Sequence, residues 1–487
     1  MATLNFLEKE FRLRKLFAEL VKRKDCQHLW FNSDLFNSST LSRSEIKSFW
    51  REHIADARCS NKNTHLYIHI PFCRQLCTYC NIYKWIYAGE PQLGNYVKFV
   101  IREIRSVRGL FRNVRFKSLF LGGGSPSILT EKQLKDLFFA INNSFVFDKQ
   151  AVKTFEYNPC DSTRAKMQIL ADSGINRISF GVQSFDGNVI RHAKRGSQNY
   201  GMIQKAFQDV RRFPGLKWIN ADLLIGLWND TPQTVMESFI KLAELNVDMI
   251  TIYPLELKPN YSKRFFNDNR ILFDQQLADK LHDFTKLVMP MAEKLGYVPT
   301  PARYSYPDYS SWEFWHKNYL QSDPNKTRYG NFGPKIFSSR NSGETNIPYD
   351  LLGIGVNAAS KIANIIYYKT EGSLSSFKNG NASGIRYRGI FLSDQRNKFL
   401  YILKKLQESD SLSICQYKDK FGSDIQNDFR ESLSKLRQLR AITVTDETIS
   451  WVAKHRGSRF AYLLFFVDTQ TILTELDKMH SRSHALA

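Results

Sequence analysis

Three of the chain's seven cysteines, Cys73, Cys77 and Cys80, lie in the run Tyr67-Ile-His-Ile-Pro-Phe-Cys-Arg-Gln-Leu-Cys-Thr-Tyr-Cys-Asn81, spaced C-x3-C-x2-C. Iron–sulfur clusters are normally held by four cysteines, so three thiolates this close suit a four-iron cluster with one iron lacking a protein ligand. An omitted ligand leaves a position where a small molecule can bind metal, the feature that separates open catalytic sites from closed structural ones. Two other readings stand beside this one. A structural zinc would need a fourth ligand, with Cys59 or His69 at hand, but zinc clips usually pair C-x2-C with a second such pair, which is absent. The three could also be ordinary buried thiols that happen to cluster.

The element that must carry these thiols is the β-branched and aromatic stretch 66–70, a short buried strand. The cysteines then sit on the loop leaving its C-terminal end, where α/β sheets and barrels place their chemistry. The same alternation recurs downstream. Strands are expected at 118–121, 154–157, 177–183, 219–225 and 249–254, with helices at 96–107, 132–141, 164–171, 203–211 and 235–245 between them. Thr130 with Gln133 forms a capping box opening one of these helices. Six βα units in succession require a parallel sheet with right-handed crossovers, hence an α/β open or partial barrel. After the second strand, Gly122-Gly-Gly-Ser-Pro-Ser127 lets backbone groups come close to a ligand, or simply turns tightly.

Together the cysteine run, with Tyr79 before its last cysteine, and the preceding Tyr67-Ile-His-Ile-Pro-Phe72 resemble the radical S-adenosylmethionine (SAM) enzymes, in their oxygen-independent coproporphyrinogen III oxidase-like branch. Further blocks match in family order: Gly122 to Ser127, Glu156-Tyr-Asn-Pro159, Gly174 to Phe185, His192-Ala-Lys-Arg-Gly196, Asn220 to Leu227 and Tyr253 to Leu257. The resemblance implies a partial (β/α)6 barrel, a [4Fe-4S] cluster on Cys73, Cys77 and Cys80, and S-adenosylmethionine held by the strand ends. Gly123, Gly124 and Ser125 would meet its methionine end, Glu156 its ammonium, Arg195 its carboxylate and Asp222 its ribose, with Gln183, Tyr67 and Tyr79 also placed on the cofactor. It further implies an electron donor of the flavodoxin or ferredoxin type. True coproporphyrinogen oxidases of this type carry C-x-C at the last cluster cysteine, whereas this chain has Cys80-Asn-Ile82. A methyl- or methylene-transferring enzyme, of methyltransferase or cyclopropanase type and able to take two S-adenosylmethionines, is therefore ranked first. Coproporphyrinogen III oxidation is the alternative enzyme, and a haem-binding chaperone that keeps the cluster, with His192 or His316 near the haem, the alternative from another class.

The organisation expected from 487 residues is an extension at 1–60, a core at 61–260, an aromatic and polar cover with the glycine-rich segment Leu351 to Ala358 at 261–390, and a small helical or winged-helix-like domain at 391–487. Within the extension, 6–21 reads as a basic amphipathic helix. The aromatics Trp312, Phe314 and Trp315 in the cover are expected mostly to pack locally. No apolar run approaches the roughly 18 residues of a bilayer span, and the charges through Glu8 to Lys24 leave no secretory h-region. A reducing cytoplasm is the expected compartment. A net charge of +22 favours acidic partners such as a polycarboxylate or tetrapyrrole-like small molecule or an acidic carrier protein. No basic block interleaved with aromatics marks a nucleic-acid site, so none is expected.

Overall fold

The computed structural model describes residues 39–55, 63–299, 312–318, 349–363, 365–373, 376, 385–408, 411–452 and 466. The amphipathic segment 6–21 and Cys59 lie outside them. Two compact units emerge, Thr40–Gly389 and one built from Ile390 onward.

The first unit is organised on six consecutive parallel strands, β1 (Asn63–Ile70), β2 (Arg115–Gly123), β3 (Val146–Tyr157), β4 (Arg177–Gln183), β5 (Trp218–Ile225) and β6 (Met249–Pro254), each paired to the next. The helices that return the chain are α2 (Glu90–Val107), α3 (Glu131–Ser144), α4 (Arg164–Asp172), α5 (Gly187–His192), α6 (Tyr200–Arg211) and α7 (Pro232–Glu244). Helix α3 opens on the capping box of Thr130 and Gln133, and α7 on a second one formed by Thr231 and Thr234. This is the α/β partial barrel read from the alternation of elements.

Strand register decides which residues meet inside. Paired positions in parallel strands point to one face, so Tyr67 shares a face with Phe120, Glu156 with Ser179, and Asp222 with Thr251. The alternate positions, Leu66, Ile68, Leu119, Leu121, Phe155, Ile178, Phe180, Ile219, Leu223 and Ile250, are fully buried in the main hydrophobic core. The apolar faces therefore pack outward under the helices and the polar set faces the barrel interior. Met249 and Trp315, with Val152 and Trp218, form a separate apolar cluster.

Two edges were not legible as strands. β8 (Trp312–His316) pairs antiparallel with β6 and with the short β7 (Tyr297–Pro299), burying Trp312, Phe314 and Trp315. The local packing expected of these aromatics is found, within a strand. At the opposite edge β9 (Tyr349–Ile354), which holds the first half of the glycine-rich segment, pairs parallel with β1 and continues into β10 (Ala359–Ile362) and β11 (Ile366–Glu371). A Cβ on Gly353 would stand 2.2 Å from the carbonyl oxygen of Ala359, so glycine there admits the neighbouring strand. Helix α1 (Arg43–Ala55) clamps this edge, His53 Nε2 lying 2.9 Å from Asp350 and Trp50 donating to Tyr368 at 2.7 Å. Helices α8 (Pro259–Phe266) and α9 (Arg270–Lys294) link β6 to β7.

In the second unit, helices Asp394–Glu408, Ile414–Phe421, Ile425–Asp428 and Arg430–Gln438 accompany a three-stranded antiparallel sheet of Ser411–Ser413, Thr448–Trp451 and Ile442–Val444, a winged-helix-like arrangement. No helix among the described residues is long and apolar enough to cross a membrane.

Candidate functional site

The loop after β1 carries Cys73, Cys77 and Cys80, all outside any disulfide and partly buried. It is held from both sides by backbone. Gly124 N–H donates to Ile70 O at 2.8 Å and Ser125 N–H to Phe72 O at 2.7 Å, while on the far side Thr78 N–H and Oγ1 donate to Ala193 O and His192 O at 3.2 and 3.0 Å. The loop after β2 and the turn after α5 thus frame the thiols between them. Burial pushes the Cys73 thiol up to about 11, an effect opposed by the Ser125 hydroxyl 3.8 Å away.

Among the described residues, no three His, Cys, Asp or Glu side chains converge on a point that a single metal ion could occupy. Three neighbouring cysteines on one loop are the donor set of a four-iron cluster with one iron left open. His69 also cannot serve as a ready fourth ligand. Its Nε2–H donates to Tyr83 O at 3.0 Å and its Nδ1 accepts from the Tyr67 hydroxyl at 2.6 Å, since a carbonyl can only accept. Burial lowers its pKa to about 4, so the ring is neutral.

The three glycines of the β2 loop prove to make room chiefly for the protein itself. A Cβ on Gly122 would lie 2.7 Å from Glu156 Oε2, one on Gly123 (φ +116°) 2.7 Å from the His69 ring, and one on Gly124 2.6 Å from Phe72 O. Gly123 N–H donates to Glu156 Oε2 at 3.0 Å. The run therefore seals the β2 loop onto the cysteine loop and admits the β3 carboxylate.

Behind it stand two interior carboxyls. Burial, reinforced by the charge of Asp222, raises Glu156 to about 8; burial raises Asp222 to about 6 against the opposing pull of Arg177. Asn220 Nδ2 orients Asp222 Oδ1 at 2.8 Å and also donates to Ser179 Oγ at 2.9 Å, while Thr251 Oγ1 donates to Asn220 Oδ1 at 2.8 Å. At the end of β4 the register slips between Gly181 and Gln183, and Gln183 takes a left-handed φ of +71°. Such a bulge re-aims a strand-end side chain at a backbone cost typical of functional sites. Arg195 follows α5: its Nη1 donates to Cys77 Sγ at 3.7 Å and its Nη2 to Gly181 O, while its buried Nε has no partner among the described residues. Tyr79 lies against both Cys77 and Arg195, which together hold that guanidinium charged despite its burial.

The expected site residues thus gather at one end of the barrel. Tyr67 differs in detail, since its hydroxyl is spent on His69. Sequence reasoning passed over Arg177, Ser179 and Asn220, the polar alternates of β4 and β5, although period-two alternation could have flagged them. It also passed over Tyr253, which keeps 42% of its surface accessible while Asp222, Glu313, Arg177 and Glu156 all act on its phenol; that exposure is to the barrel interior.

The model of the Radical SAM superfamily matches residues 67–239. The chain is 26% identical over 381 residues to the heme chaperone HemW of Lactococcus lactis, covering 77% of this chain and 89% of that one. It is 26% identical over 388 residues to the oxygen-independent coproporphyrinogen III oxidase of Synechocystis, covering 78% of each. Among solved structures, the coproporphyrinogen III oxidase HemN of Escherichia coli, a radical SAM enzyme, superposes with a TM-score of 0.67 at 23% identity, over 88% of this chain and 94% of that one. That likeness is one of fold.

Proposed function

Because this chain belongs to the HemN-like radical SAM enzymes, which use a [4Fe-4S] cluster and S-adenosylmethionine, we propose that it binds both at the β1 loop and strand ends and directs the resulting radical chemistry at a tetrapyrrole-class ligand. The observation that carries the reading is the meeting of the cysteine loop, the β2 glycine loop, Glu156, Asp222 and Arg195 at one end of the barrel. The methyl-transferring activity ranked first on the sequence yields to this one, since the two relatives above, each matched over more than three quarters of its length, are named for coproporphyrinogen oxidation and for haem.

Cys73, Cys77 and Cys80 would hold the cluster, and Ser125, Gly123, Gly124, Gln183, Tyr67 and Tyr79 would bound the cofactor. With a flavodoxin- or ferredoxin-type donor, the group held there would supply one-electron reductive cleavage of S-adenosylmethionine. The chain's own work is electrostatic. The orphaned Arg195 Nε–H suits a carboxylate, and Glu156 and Asp222 suit a sulfonium bearing an ammonium and a ribose.

A pH dependence follows. Glu156 stays protonated up to about 8, so a cation binding beside it must displace that proton. S-adenosylmethionine affinity should fall on the order of twentyfold from pH 8.5 to pH 6.5, with proton release on binding. Calorimetry across that range checks it, and Glu156→Gln should bind weakly with a flat profile. The cofactor-free fold has the opposite pH dependence, because here it is the protonated carboxyl that the buried site favours. Because the folded pKa is raised from 4.5 to about 8, stability is fully present below 4.5 and declines as pH rises through this window.

The haem-chaperone reading is favoured by Asn81 and Ile82. Asn81 Nδ2 is tied to Glu256, and Ile82 is 42% exposed, in the stretch where the oxidases place a further cysteine. Anaerobic incubation of the reconstituted protein with S-adenosylmethionine, reductant and either coproporphyrinogen III or haem separates the two. Protoporphyrinogen with 5′-deoxyadenosine identifies an oxidase. Stoichiometric haem binding without porphyrin conversion identifies a chaperone, and neither result would remove the tetrapyrrole assignment.

A further inference from the structure

The contact between Arg195 and Cys77 spans 118 positions of sequence and is fixed by more than one bond. Helix α5 ends in a turn in which Lys194 takes a left-handed φ of +56° and Arg195 N–H returns to Ile190 O at 3.0 Å, which throws the arginine back toward the barrel. Its Nη2 is anchored on Gly181 O and on Gln198 Oε1 at 3.3 Å, and Gln198 is itself tied to Val182 O. The cysteine loop is pinned to the same turn through Thr78. What remains is Nη1, 3.7 Å from Cys77 Sγ, with Tyr79 against both groups. By contrast the hydrogen bond that Cys73 Sγ receives among the described residues comes from a neutral hydroxyl, that of Ser125, and Lys84 acts on it through charge alone.

A cation and hydrogen-bond donor beside one ligating sulfur stabilises the more negative, reduced state of an iron–sulfur centre more than the oxidised one. Resting on the cluster reading above, we propose that Arg195, assisted by Tyr79, is a positioning residue on the Cys77 thiolate that raises the cluster's reduction potential. Its Nε–H remains free for a carboxylate, so cofactor binding and cluster potential are linked through one side chain, and linkage makes that coupling reciprocal. The couple involves one electron from an external low-potential reductant, and no bond in the protein forms or breaks.

Redox titration of the anaerobically reconstituted full chain, followed by the electron paramagnetic resonance of the reduced cluster, tests this. Arg195→Gln should lower the reduced-to-oxidised ratio at least tenfold at a fixed poise near the wild-type midpoint, a shift of 59 mV for one electron. Tyr79→Phe should shift it less in the same direction, and Arg195→Lys, which keeps the charge, should recover part of the loss. Adding S-adenosylmethionine should move the midpoint more in wild type than in Arg195→Gln. Unchanged midpoints in Arg195→Gln and Tyr79→Phe with full iron and sulfide content would overturn the proposal while leaving the cluster reading intact. Should Arg195→Gln fail to assemble, an unshifted Tyr79→Phe midpoint overturns it alone. A wild-type chain that takes up no four-iron complement would overturn both.

Discussion

Cys77→Ala is expected to form no 5′-deoxyadenosine above background and to lose most of the roughly four irons per chain that the wild type takes up on reconstitution. The reason is arithmetic as well as electrostatic. With three ligands to begin with, losing one leaves two thiolates to anchor a cluster, and the site has no other cysteine within its loop. The substitution also removes the sulfur that faces a buried guanidinium, leaving Arg195 Nη1 without its partner. Cys77 is only partly buried, so circular dichroism and thermal unfolding of the apo-chain should change little. Iron and sulfide analysis with product mass spectrometry reads the outcome, and Cys73→Ala and Cys80→Ala should behave alike. Retention of cleavage by any one of the three would remove that residue from the ligand set.

Gly124→Ala should be nearly as damaging through packing alone. The added methyl would stand 2.6, 2.7 and 2.9 Å from the carbonyl oxygen, nitrogen and carbonyl carbon of Phe72, all of them backbone atoms that cannot rotate away. Relief requires separating the β2 loop from the cysteine loop, which breaks the hydrogen bonds from Gly124 to Ile70 and from Ser125 to Phe72. Overpacking of this kind costs about 1–3 kcal/mol, and each lost hydrogen bond adds about 1 kcal/mol. The expected result is a lowered denaturation midpoint together with poor cluster retention, since the displaced loop is the one that carries the thiols. Gly187→Ala is the control. Nothing lies within 4 Å of its Cβ position, so stability and iron content should match wild type. Wild-type behaviour of Gly124→Ala would show that the two loops are not braced against each other.

Much of this site was legible because its determinants are local. The C-x3-C-x2-C spacing, the strand before it, the capping box at Thr130, and the βα alternation each depend on a window of a few residues. Glu156, Gln183, Asp222 and Arg195 were placed near the cofactor by the resemblance, and the fold brings them to the same end of the barrel. Their neighbours were not legible. That Gly122 exists to admit Glu156 depends on groups from different strands meeting closely, and that Tyr67 answers to His69, two residues along the same strand, depends on the distant Tyr83 carbonyl that takes the other ring nitrogen.

By itself, then, the sequence determined the chemistry on offer and the parallel order of β1 to β6, because a strand–helix–strand unit can close only with a right-handed crossover. Only the tertiary structure decided how the sheet ends. β9 pairs with β1 across more than 280 positions, and β8 pairs with β6 beyond α9, since edge pairing depends on register and shape rather than on any short pattern. It also decided that the polar alternates Ser179, Asn220, Asp222 and Thr251 form one connected interior network. Ser179, Asn220 and Thr251 each read as an ordinary polar position in their own strand. They become a site because parallel registration stacks them on one face, out of water and within hydrogen-bonding reach of one another.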